Sequence, residues 1–83
     1  MIALNINGQE FEFTVTVAIY NQYINEMQPN NKVTPAHNFL MRSIKPEQKD
    51  DFKTVMELPG APIQIAAKII EEYSPDLEIT VGK

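Results

Sequence analysis

The sequence predicts an α+β fold with an N-terminal β-hairpin, a helical middle of about four helices and a short C-terminal strand. Three observations lead there. Apolar residues alternate on both sides of Asn7-Gly8, they recur at helical spacing through the middle of the chain, and alternation returns over residues 77–81. Strands grouped apart from helices suit α+β better than an alternating α/β order.

The hairpin comes first. Asn7-Gly8 is the dipeptide best suited to the positive φ angles of a two-residue turn. It fixes the register: Ile6 opposite Gln9, Leu4 opposite Phe11 and Ile2 opposite Phe13, with Asn5 meeting Glu10 and Ala3 meeting Glu12 on the other face. One side of the ribbon is then Ile2, Leu4, Ile6, Phe11, Phe13 and Val15. Because a two-stranded ribbon is marginal alone, this side must rest on helices.

Thr16 supplies an N-cap for a helix over residues 17–27, whose Tyr20, Tyr23, Ile24 and Met27 share a face. Gln28-Pro29-Asn30-Asn31 stops it. A second helix over 35–44 takes Thr34 as cap and Pro35 as its first residue, and buries Phe39, Leu40 and Ile44. Lys45-Pro46 ends that helix and opens a third over 46–58, with Phe52, Val55 and Met56 inward. Pro59-Gly60-Ala61-Pro62 breaks the chain before a fourth over 61–73. There Ile63, Ala66, Ala67, Ile70 and Tyr73 form a stripe that Ile65 and Ile69 widen, so this helix is either central or carries a contact surface. Leu77, Glu78, Ile79, Thr80 and Val81 then predict a third strand, paired with a hairpin edge or with another chain.

At 83 residues the chain is expected to form one domain over 1–83, with a formal net charge of −4 and a solvated acidic surface. It has no cysteine and one histidine, which excludes disulfides, thiolate zinc sites, a sulfur nucleophile and a histidine-rich metal cluster. No cofactor is expected. No window reaches the roughly 20 apolar residues of a membrane span, and no signal-like segment opens the chain, so a cytoplasmic protein is expected.

Catalytic groupings are poor. His37 has Asn38 beside it and Arg42 little more than a turn later, but no serine or carboxylate is placed to complete a general-base set. Asp50-Asp51 and Glu71-Glu72 are adjacent pairs whose side chains diverge by about 100° on a helix, so neither converges on a metal or a substrate. The chain is therefore expected not to be an enzyme. Lys32, Arg42, Lys45, Lys49 and Lys53 crowd the middle, yet Glu47, Asp50, Asp51 and Glu57 are interleaved with them, which argues against a phosphate-binding face. Ile65, Ile69 and Met41, with Met27 and Met56 as neighbours, exceed a minimal core; they suit either a tolerant protein-binding face or simple core filling.

Read together, YNQYINEMQPNNKVTPAHNFL (20–40), LPGAPIQIA (58–66) and EEYSPDLEITVGK (71–83) give the chain a likeness that runs from the Asn-Gly hairpin to the C-terminus. It resembles the short tail assembly chaperones of phages and prophages. The resemblance implies a non-enzymatic factor in the host cytoplasm that binds the tape measure protein, keeps its helices soluble, and helps bring tail-tube protein to it. It also implies that Lys32, His37, Asn38 and Arg42 pack or contact protein, as Ile65, Ile69 and Met41 would on a contact face. Relatives of this class are often made in a short form and one extended by ribosomal slippage, for which Gly82-Lys83 offers a codon context. Two other functions stay open: a small nucleic-acid-binding regulator, tested by salt-dependent DNA binding, and a homo-oligomeric structural subunit of a tail, tested by concentration-dependent assembly.

Overall fold

Alternating apolar residues around a two-residue turn form the predicted hairpin. The computed structural model, which describes residues 1–82, pairs β1 (Ile2–Ile6) with β2 (Gln9–Phe13) antiparallel in the register written above. Asn7 and Gly8 take φ values of 52° and 87°, and the Gly8 N–H donates to Asn5 Oδ1 at 3.0 Å. Of the Gly82-Lys83 pair, Lys83 lies outside the described residues.

Four α-helices follow. In α1 (Val17–Glu26), Thr16 Oγ1 accepts the Ile19 N–H at 3.1 Å, the expected cap. A tight turn between Gln28 and Asn31 leads into α2 (Val33–Ser43), which starts two residues before its expected beginning. Lys32 is its N-cap and Thr34 caps nothing, because Pro35 is tolerated anywhere in the first turn, where its missing N–H would have no helical partner. The expected helix over 46–58 is divided: Pro46–Gln48 forms a 3-10 turn and α3 covers Lys49–Met56. Gly60, at φ 78°, provides the left-handed residue before α4 (Ala61–Tyr73), whose bounds match the prediction.

The core lies where the hairpin's apolar face meets the helices. Phe52 of α3 packs against Phe11 and Phe13, with ring centroids 5.3 Å away in both cases and planes tilted by 58° and 78°. Tyr23 of α1 stacks on Phe39 of α2 at 4.6 Å, so α2 is held from one side by α1 and from the other by α4. Burial raises the Tyr23 hydroxyl above its ordinary pKa and keeps it neutral.

The hairpin's two outer edges differ. Glu10, Glu12 and Thr14 point their backbone groups outward from β2, and the segment after α2 meets them. Thr14 N–H donates to the Ser43 carbonyl at 2.8 Å and Lys45 N–H to the Glu12 carbonyl at 2.9 Å. The Gln48 amide closes the row, accepting from Glu12 N–H at 2.8 Å and donating to the Glu10 carbonyl at 2.9 Å. That pair of hydrogen bonds also explains why the helix breaks there: Gln48 sits at φ −102°, ψ 2°, outside α geometry. Gln48→Ala is expected to cost about 1 kcal/mol, mainly by leaving the half-buried Glu12 N–H without its partner while water takes over the exposed Glu10 carbonyl, read as a lowered urea midpoint at unchanged slope.

The C-terminal strand is a correction. Residues 75–82 carry no regular secondary structure, and Leu77, Ile79 and Val81 are 71%, 80% and 98% exposed. The physical reason is the sheet itself. The edge of β2 is already filled, and the edge of β1 lies on the far flank of α4 from the point where this segment departs. The departing segment also stretches the molecule, to a radius of gyration of 14.0 Å. A compact chain of this length would have about 12 Å.

Candidate functional site

Most of the candidate surface residues gather on one element. Ala36, Phe39, Leu40 and Ser43 turn α2 inward, which leaves Val33, His37 and Met41, spaced by four residues, along its outward side, with Thr34 and Asn38 beside them. Val33 is 57% exposed, His37 is exposed, and Asn38 and Met41 are half-buried. Lys32 stands exposed at the start of the same helix. Ile24 and Met27, exposed at the end of α1, flank the turn that joins α1 to α2. Val33 had no place among the candidates because the helix was expected to begin two residues later; an earlier start would have revealed the four-residue spacing.

Arg42 is on this helix but engaged. Its guanidinium donates to both carboxylate oxygens of Glu26, at 3.2 and 3.4 Å, and so clasps α2 to α1. Lys45 is likewise held by Glu12 at 2.9 Å; that hydrogen bond first, and the charge of the same carboxylate second, raise its ammonium above the ordinary lysine pKa. With the folded value raised, any stabilisation is complete below the ordinary lysine pKa and is lost only as pH climbs above it, so Lys45 provides no switch near neutrality. Two of the mid-chain cations are thus already paired with carboxylates.

Ile65 and Ile69 are not at the surface. They are 7% and 0% exposed and belong to the core with Ala61 and Ala66, which corrects the expectation of a partly exposed contact pair. The apolar arc of α4 is wide, and the core takes the half centred on Ile69. Ile63 and Ala67, expected inside, lie outside. Any effect of Ile69 on a partner runs through the fold.

Chemistry-bearing groups do not converge. Among the described residues, no hydroxyl or carboxylate is hydrogen-bonded to His37, and no three His, Asp or Glu side chains gather as a metal site. Glu71 and Glu72 face Lys68 along α4, and Asp51 approaches the Gln9 amide at 3.4 Å. No helix among the described residues is long and apolar enough to cross a membrane. A groove of about 680 Å³ lies between β1 and α4, floored by Ile2, Leu4, Ile6 and Ile65 and rimmed by Lys68 and Glu72.

The chain is 36% identical over 80 residues to an uncharacterized 11.3 kDa protein from the lys 3′ region of Haemophilus phage HP1, covering 96% of this chain and 78% of that one. No solved structure matches it. The family model described as phage tail assembly chaperone matches residues 2–83, so nearly the whole fold is accounted for, and the chain belongs to the phage tail assembly chaperone family.

Proposed function

We propose that the protein is a non-enzymatic tail assembly chaperone of the host cytoplasm that binds the tape measure protein and helps recruit tail-tube subunits to it. The family match over residues 2–83 carries this reading. The contact surface is the outward side of α2 with the α1–α2 corner. Val33, His37 and Met41 form its spine, Ile24 and Met27 extend it, and Lys32 and Asn38 supply polar contacts at its border. Arg42 contributes by fixing the two helices against each other. A mixed apolar and polar strip of this kind suits an amphipathic helix of a long, poorly soluble partner, since adaptable methionines accept varied side chains while the rim sets orientation.

The double variant Val33→Asp, His37→Asp tests the surface. Both positions are exposed, and an acid in the first turn suits the helix dipole, so the melting temperature should stay within a few degrees. Co-purification with a co-expressed tape measure protein should fall by about tenfold or more. A folded variant that binds undiminished would remove α2 from the contact, and a wild-type chain that binds no tape measure protein would remove the function.

A further inference from the structure

The hairpin has one closed edge and one open edge. Ala3 and Asn5 stand opposite Glu12 and Glu10 in the register. In an antiparallel pair flanking a two-residue turn, these are the positions whose backbone groups face away from the partner strand. On β2 the outward groups are bonded to Ser43, Lys45 and Gln48; on β1 the outward N–H and C=O of Ala3 and Asn5 have no partner among the described residues. This row runs beside the groove between β1 and α4. The same chain carries an unpaired segment of matching kind: Leu77, Ile79 and Val81 alternate with Glu78 and Thr80, all exposed and outside regular secondary structure after α4.

We infer that residues 77–81 of a second copy add to the outer edge of β1 as a third strand. The five residues of that edge span about 17 Å, which the five-residue segment matches. Strand addition satisfies the four free groups of Ala3 and Asn5 and places Leu77, Ile79 and Val81 over Ile2, Leu4, Ile6 and Ile65 in the groove.

The donor is another copy for a geometric reason. Within one chain the segment leaves along α1, where Tyr73, Ser74, Pro75 and Leu77 line a cleft with Val17, Tyr20 and Asn21. The groove is on the opposite flank of α4. The three steps from Ser74 to Leu77 reach at most about 11 Å, no more than the width of the helix they would have to cross before pairing could begin.

The test uses the full chain, whose lack of cysteine makes any introduced thiol unique. At about 100 μM, a concentration suited to a small interface, light scattering should give the wild type a mass above the monomer. Ile79→Asp should be monomeric with an unchanged far-UV circular dichroism spectrum, since it sets a carboxylate against the apolar floor of the groove while the residue is 80% exposed in the monomer. A mixture of Ala3→Cys and Thr80→Cys chains should yield a covalent heterodimer with a short bismaleimide. A monomeric wild type, an oligomer indifferent to Ile79→Asp, or the absence of the covalent heterodimer would each overturn the inference. None of these readouts involves the tape measure protein, so they stand or fall apart from the chaperone reading.

Discussion

Phe52→Ala is expected to be the most damaging single change, costing about 3–5 kcal/mol. The ring is fully buried and is the one aromatic group of α3, placed between Phe11 and Phe13 at 5.3 Å from each. Removing it takes away the transfer energy of a large side chain and both aromatic contacts, and leaves a cavity that two phenylalanines held in a hydrogen-bonded ribbon cannot close. A domain of this length holds about 4–12 kcal/mol in all, so the variant should be largely unfolded at 37 °C. Urea unfolding followed by circular dichroism measures it. Phe52→Leu, which keeps most of the volume, should lose less than half as much; equal losses in the two variants would mean that the ring is not the hinge of the packing.

Ile69→Ser should be nearly as severe, at about 3–5 kcal/mol, while Ile63→Ser on the same helix should change stability by no more than about 1 kcal/mol. Ile69 is wholly buried and Ile63 is 39% exposed. The sequence pattern assigns them the opposite way round, so the pair of variants reads directly which half of the apolar arc of α4 faces the core. A larger thermal shift for Ile63→Ser than for Ile69→Ser would reverse the packing described above.

That pair also shows what a sequence can and cannot reveal. The hairpin was legible to the residue because Asn7-Gly8 admits one turn type and a period of two leaves one register. Thr16 and Gly60 marked helix boundaries for similarly local reasons. The rotation of α4 was not legible, since an apolar arc spanning half the helix contains no internal mark of where neighbours lie; only α2, α3 and β1, packing from particular directions, choose Ile65 and Ile69. The C-terminal segment failed for a related reason. Its alternation is a statement about a strand that needs an edge, and the filling of β2's edge by Gln48 is a contact across 36 residues that no local pattern encodes. On α2, the early start at Val33 hid the spacing that joins His37 and Met41 into a single strip.

The three-phenylalanine contact has a consequence for how the chain is made. Phe11 and Phe13 leave the ribosome early, on a hairpin that has nothing to rest on, and Phe52 is added about forty residues later. At about 5–20 residues per second, synthesis alone separates these events by about 2–8 s. A hairpin closes within microseconds but is barely stable until its apolar face is covered. For those seconds the nascent protein presents two unsheltered aromatic rings to the cell, so its own folding depends on their staying shielded until Phe52 arrives.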